Sequence, residues 1–259
     1  MQLLTIGKNQ AGQRLDKFLK KALPNAGTGF LYKMLRKKNI TLNGKRAEGK
    51  EILAQGDEVK CFFSEETYAS LSGAGAAEDT SDYRKAYRSL KDISVLYEDE
   101  NILLLNKPAG VLTQKAKPED LSLNEWMIGY LLYHKVISEQ SLQTFKPSVC
   151  NRLDKNTSGI IAAGKSLAGL QELSELFHDR TVHKEYLCIV KGVLREKKHI
   201  KGYLYKDTKQ NKVAIYKQKQ KEAQPIETVY EPLEDNGEVT LLKVGLITGR
   251  THQIRAHLA

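Results

Sequence analysis

One stretch of the chain, about a quarter of the way along, limits what the whole can fold into. Residues 64–91 open with SEETYASLSGAGAAEDTSD, a run of small and polar residues with no sustained hydrophobic period. A run of that kind offers little apolar surface to a core and reads as a flexible linker, with Tyr83, Tyr87 and Leu90 as local docking points. The chain is therefore expected to hold a small unit over 1–64, a flexible linker over 65–91, and a larger domain over 92–259. On this reading the small unit is tethered to the larger domain and is not packed rigidly into it.

The small unit reads as α/β. Leu3 to Ile6 suits a short strand, and Leu15, Phe18, Leu19 and Ala22 recur at helical spacing until Pro24-Asn25 breaks the pattern. A second helix is expected from about Gly29 to Lys37. It carries Leu31, Met34 and Leu35 on one face, with Lys33, Arg36, Lys37 and Lys38 mostly on the other. Ile40-Thr41-Leu42 runs into Asn43-Gly44, a strong tight-turn signal, and Val59–Phe63 suits a closing strand.

Charge is distributed unevenly. The 259 residues hold 41 Lys+Arg against 31 Asp+Glu, a net charge of +10. Residues 12–60 account for +7 and residues 195–222 for another +7, so the remainder is slightly negative. Two basic regions around a near-neutral body suit a polyanion such as RNA, because Lys and Arg contacts to phosphate release counterions. Cys61, Cys150 and Cys188 lie far apart without CxxC spacing, so reduced thiols are expected and neither a zinc site nor a disulfide framework. MQLLTIGKNQ lacks the apolar run of a signal peptide, and no stretch reaches membrane-spanning length. A cytoplasmic protein with no membrane partner is expected, and a monomer.

The larger domain alternates strand and helix signals. Val95–Tyr97 and Ile102–Leu105 suit a hairpin, and Leu121 to about Val136 a helix with Ser122 as N-cap and Glu125 three residues on. Residues 158–164 suit a buried strand, and Ser166 caps a helix with Leu167, Leu170, Leu173 and Phe177 at helical spacing. Short strands follow at 185–190, 202–205, 212–216, 226–231 and 239–247. The expected class is α+β, with a mixed and mostly antiparallel sheet flanked by helices.

Two resemblances sharpen this reading. RLDKFL, the basic helix, ITLNGKRA and GDEVK, over roughly residues 12–63, resemble the S4 RNA-binding domain. That resemblance points to Arg14, Lys17, Lys33, Arg36, Lys37, Lys38, Lys45 and Arg46 as RNA contacts. The second covers about residues 93–259 and rests on four stretches in order: Asn106–Val111 (NKPAGV), Asn151–Gly159 (NRLDKNTSG), Lys184–Tyr186 (KEY) and Thr248–His257 (TGRTHQIRAH). Together they resemble the RluA/RluD-type RNA pseudouridine synthases, in which an S4-like segment is a usual companion.

The second resemblance implies an enzyme that isomerises uridine in RNA, most often 23S ribosomal RNA. The base leaves C1′ through N1 and rejoins through C5, with no net oxidation, so neither an organic cofactor nor a metal is required. Asp154 is implied as the catalytic carboxylate, a nucleophile or charge stabiliser at C1′. Arg250 is implied as its basic partner and Tyr186 as the aromatic that meets the uracil. Arg152 is the candidate wedge for the space a flipped base leaves, and Lys107-Pro108 shapes the entry. Lys107 and Arg255 are candidate substrate contacts, as is Ile254, for which plain core packing is an equal reading.

Two departures stand out. Asn151 occupies a position where the familiar motif has His, and the chain ends at Ala259 inside an expected helix. Members of that family usually continue through a further strand and helix, so a C-terminally truncated catalytic domain is expected. His252 and His257 are five residues apart, not the four that put two ligands on one helical face, so no metal site is expected. A non-catalytic RNA-binding assembly factor that keeps the fold, and transfer RNA as the substrate, are the alternatives.

Overall fold

The computed structural model describes residues 1–73, 79–179, 181–207 and 212–259, and the chain divides into two compact units, 1–175 and 176–259. The first unit begins with β1 (Gln2–Thr5), α1 (Leu15–Ala22), α2 (Thr28–Arg36), β2 (Ile40–Leu42), β3 (Lys45–Arg46) and β4 (Glu58–Cys61). Asn43 and Gly44 both take positive φ, 50° and 73°, which is the primed turn that lets Leu42 pair directly with Lys45. The sheet order is β1-β4-β2-β3. Leu15, Phe18 and Leu19 of α1 and Leu31, Met34 and Leu35 of α2 are buried against it, as the periodicity predicts.

The region expected to be a flexible linker holds two helices, α3 (Glu65–Ser72) and α4 (Ser81–Ser89). The Gly/Ala stretch at 74–78 lies outside the described residues. Ser64 caps α3 by accepting the Thr67 N–H at 3.2 Å, and Tyr68 and Leu71 pack on the core of the first sheet. On α4, Ala86 is fully buried, and Tyr83 and Tyr87 pack on the next core. The two parts of this unit also touch. Gln10 Nε2 donates to Thr144 Oγ1 at 2.9 Å, and Lys8 pairs with Glu100 at 2.5 Å.

The remainder of the first unit is β5 (Ser94–Glu98), β6 (Ile102–Lys107), α5 (Leu123–Tyr133), β7 (Ser148–Val149), β8 (Gly159–Gly164) and the start of α6 (Leu167–His178). The strands form an antiparallel sheet ordered β5-β6-β8-β7. Leu103, Leu105 and Ile161 face Trp126, Met127 and Leu131 of α5. Ser166 caps α6 by accepting the Gly169 N–H at 3.0 Å. Ser122 stands at the start of α5, but its hydroxyl goes to the Glu125 carboxylate and to the Thr113 carbonyl, not to a backbone N–H.

Helix α4 reaches α5 through a glycine. A Cβ added at Gly129 would sit 2.2 Å from the Tyr83 carbonyl oxygen and 2.8 Å from Tyr87 Cβ. Neither neighbour is the free end of a flexible side chain, so Gly129→Ala must push the helices apart. We expect a loss of about 2 kcal/mol, the scale of core overpacking, read as a lower urea midpoint. An unchanged midpoint would show that α4 is docked too loosely to matter.

The second unit is one antiparallel sheet of β9 (Lys184–Lys191), β10 (Lys198–Asp207), β11 (Lys212–Tyr216), β12 (Gln224–Asp235) and β13 (Val239–Leu246), ordered β11-β10-β12-β13-β9. It is followed by α7 (Gln253–His257). The α+β class is thus as expected, and the described strands pair antiparallel. Strand β9 alternates half-buried and exposed residues along its length, which turns Tyr186, Cys188 and Val190 toward Tyr230, Leu242 and Val244. None of the described helices is long and apolar enough to cross a membrane.

Candidate active site

In the first unit the RLDKNTSG stretch is a turn between β7 and β8, held in shape by side chains. Beyond Val149 the ladder continues with one backbone bond, Cys150 N–H to the Ala162 carbonyl at 2.7 Å. Asn151 then takes over with its side-chain amide. Its Oδ1 accepts the Ala162 N–H at 2.8 Å and its Nδ2 donates to the Ile160 carbonyl at 3.1 Å. One donor and one acceptor on a short side chain are what this position uses, and a neutral imidazole also offers one of each. The Asn at 151 is therefore a structural answer to a backbone demand.

Thr113, itself buried, fixes Leu153 from both sides: its Oγ1 donates to the Leu153 carbonyl at 2.8 Å and accepts the Leu153 N–H at 3.2 Å. Asp154 follows, half-buried, and its carbonyl closes the turn by accepting the Thr157 N–H at 3.0 Å. Arg152 is exposed two residues before it.

Lys107 corrects an expectation. A lysine at the mouth of a site reads as a substrate contact, but this side chain is 0% exposed. Its ammonium donates to the carbonyls of Pro108 at 3.0 Å, Val111 at 2.8 Å and Lys155 at 3.2 Å. With three donors and three acceptors it is fully used within the protein. The Gly110 N–H reaches the same Lys155 carbonyl at 2.8 Å, so the turn at 108–111 and the turn at 154–157 are stitched together. Burial pushes the Lys107 pKa down, and the negative charge of Asp154 opposes that shift. Lys107 is thus spent inside the protein, on the turns that flank Asp154.

In the second unit two of the expected residues pack on one face of the sheet. Tyr186 of β9 and Ile254 of α7, both half-buried, pack on the same cluster. Arg250 and Arg255 are exposed. The loop bearing Arg250 is organised by Gln253, which is 1% exposed. Gln253 Oε1 accepts the Arg250 N–H and the Thr248 hydroxyl, both at 3.0 Å. Its Nε2 donates to the Glu227 carbonyl at 3.1 Å and to Thr228 Oγ1 at 3.0 Å. His257 Nδ1 lies 3.0 Å from the same Thr228 hydroxyl, and burial holds its pKa below the ordinary histidine value. Among the described residues no cluster of three or more His, Cys, Asp or Glu could hold a metal.

Comparison with known proteins places the chain in a family. The family described as RNA pseudouridylate synthase matches residues 101–259. An RNA pseudouridine synthase of Mycoplasma pneumoniae is 32% identical over 95% of this chain and 73% of its own length. Ribosomal large subunit pseudouridine synthase C of Escherichia coli K12 is 29% identical over 99% of this chain and 75% of its own. The chain belongs to the RNA pseudouridylate synthase family. The fold agrees with a human protein described as RNA pseudouridylate synthase domain containing 4. The TM-score is 0.54 at 22% identity, covering 69% of this chain and 67% of that one.

The synthase is accordingly an isomerase that acts on uridine in RNA. Two residues that hold its loops escape a reading of the sequence alone. Thr113 has no neighbouring pattern to mark it. Gln253 stands inside the TGRTHQIRAH stretch, where its role is masked by the charged residues around it. Of the cations expected on the first sheet, Lys17, Lys33, Arg36, Lys37, Lys38, Lys45 and Arg46 are exposed. Arg14 is also exposed but grips Asp16 through Nε at 3.1 Å and Nη2 at 2.9 Å, while Tyr32 donates to the same carboxylate at 2.9 Å. Its fork is committed within the protein, so it is a poor candidate for a phosphate.

Proposed function

We propose that this synthase converts specific uridines of large-subunit ribosomal RNA to pseudouridine, with Asp154 as the carboxylate that acts at C1′. The observation that carries the reading is the support beneath Asp154. A half-buried carboxylate stands on a turn fixed by Thr113, Asn151 and a fully used buried ammonium. Groups that must meet a reacting atom gain from such preorganisation, because small displacements cost rate. The relatives named for the ribosomal large subunit, alike over nearly the whole chain, support the choice of RNA.

The chemistry needs little else. The uridine leaves its stack so that the carboxylate reaches C1′, and Arg152, exposed beside it, is the side chain to fill the space left behind. The N1–C1′ bond breaks, the uracil turns, and the C5–C1′ bond forms. The C5 proton then departs and N1 gains one, so the product is an isomer of the substrate. Asp154 attacks C1′ or stabilises the positive charge that develops there. Arg250 and Tyr186 take the duties the family pattern suggests, basic partner and aromatic neighbour of the base.

RNA labelled with tritium at uridine C5 tests the reaction, since the new bond expels that hydrogen. Release from ribosomal RNA, and none from transfer RNA, is the expected result; the reverse would move the substrate and keep the chemistry.

The first sheet and its helices suit RNA backbone through the S4-like pattern. Lys33, Arg36 and Lys37 stand exposed on and just after α2. Replacing all three by Glu is expected to weaken RNA binding and to flatten the log–log dependence on salt by about 2, since each phosphate contact on a single strand contributes roughly 0.7. An unchanged slope in a filter-binding titration would remove this face from the RNA footprint.

A further inference from the structure

Away from the Asp154 turn, α4 and α5 build an aromatic patch that the isomerisation does not use. Trp126 and Tyr130 of α5 stack at 5.5 Å with an interplanar angle of 9°. Tyr87 of α4 lies 5.5 Å from Trp126 and 5.2 Å from Tyr133. His134 packs 4.5 Å from Tyr130 and 5.2 Å from Tyr133. The inner rings are settled: Trp126 is 6% exposed, and Tyr130 donates to Glu98 at 2.8 Å. Tyr133 is not. It is 69% exposed, yet its ring is braced by Tyr87 on one side and His134 on another.

The segment that supplies Tyr87, which packs on that ring, is basic. Residues 81–91 carry Arg84, Lys85, Arg88 and Lys91 against a single acid, Asp82. Arg84 is bound to Glu139 at 2.6 Å and Asp82 to Lys115 at 2.5 Å, which leaves Lys85, Arg88 and Lys91 as exposed cations on and just after α4. Lys135 is exposed two residues beyond Tyr133. A braced, solvent-facing aromatic flanked by cations is the combination that holds single-stranded nucleic acid. The ring takes the face of a base without regard to sequence, and the cations follow the backbone. A protein partner would be better served by an apolar rim than by several ammonium and guanidinium groups.

We propose that Tyr133, with Arg88 and Lys91 of the segment that supplies its neighbour Tyr87, forms an auxiliary subsite that stacks one unpaired base of the substrate RNA outside the catalytic centre. The proposal rests on RNA being the substrate. Its purpose is affinity and orientation, because a second contact on the same strand raises the effective concentration of the first.

Trp126 is the only tryptophan in the chain and belongs to this cluster, so its fluorescence reports on the patch directly. Titration of the full protein with an oligouridylate is expected to change Trp126 emission saturably. Tyr133→Ala should weaken that binding about tenfold, within the range for removing one base–aromatic stack, whereas Tyr133→Phe should bind as wild type does. Arg88→Glu should flatten the log–log salt slope by about 1. With ribosomal RNA as substrate, Tyr133→Ala should raise KM and leave kcat unchanged. Tyr133→Ala binding within about twofold of wild type, with an unaltered thermal melt, would overturn the subsite and leave the patch to a different ligand such as a protein. Failure of the wild-type chain to bind any RNA would sink the functional reading itself, so the two failures are distinguishable.

Discussion

Asp154→Asn is expected to reduce tritium release from C5-labelled uridine by about ten-thousandfold or more, the scale at which removal of a residue acting in the bond-making step is felt. The substitution is nearly isosteric, and the turn itself is held by backbone and by neighbours: Thr157 N–H on the Asp154 carbonyl, and Thr113 on Leu153. Thermal stability should therefore change little, which separates lost chemistry from lost structure. RNA affinity should also persist, because phosphate contacts elsewhere supply it. If Asp154→Asn turns over at more than about a tenth of the wild-type rate, the carboxylate is not the group at C1′. A protein that never isomerised uridine but only bound RNA would show no change in any assay.

Lys107→Met should be the most damaging change outside the reacting groups. Methionine fills a similar volume, but the carbonyls of Pro108, Val111 and Lys155 lose the ammonium they share, while the Lys155 carbonyl keeps the Gly110 N–H. Leaving buried acceptors unmatched costs about 1–3 kcal/mol each, so a total near 3 kcal/mol is expected in urea unfolding after partial relaxation. The kinetic effect should be larger than the stability loss suggests. The stitch between 108–111 and 154–157 sets where Asp154 stands, and a displacement of about 1 Å costs roughly a hundredfold in rate. Wild-type stability and rate in Lys107→Met would refute the positioning role.

Much of this was legible beforehand, and the failures have physical causes. Leu15, Phe18 and Leu19 betray α1 because a helix with one buried face must repeat its apolar residues. Asn43-Gly44 betrays its turn because few residues tolerate positive φ twice in succession. The Asp154 stretch was visible because its residues are rare in combination. By contrast, α4 shows in its composition only as docking points, Tyr83 and Tyr87, and not as a helix. Its order comes from Gly129, some forty residues away, whose missing side chain lets the Tyr83 backbone approach. Lys107 misleads for a similar reason: lysine is read as surface, and only the fold brings three carbonyls to it. The pairing of Arg14 is hidden because its partner, Asp16, is two residues along, a distance at which pattern rules expect no contact.

The turn around Asp154 has a consequence for how the polypeptide is made. Its two main supports come from residues 48 and 40 positions earlier, Lys107 reaching Lys155 and Thr113 reaching Leu153. The ribosome therefore releases the receiving half of the site, on β6 and the loop after it, well before the carboxylate exists. When Asp154 emerges, its anchors are already synthesised, and β8, which follows at once, closes the ladder that Asn151 extends. Synthesis order and contact order run the same way here, each anchor being made before the group it holds.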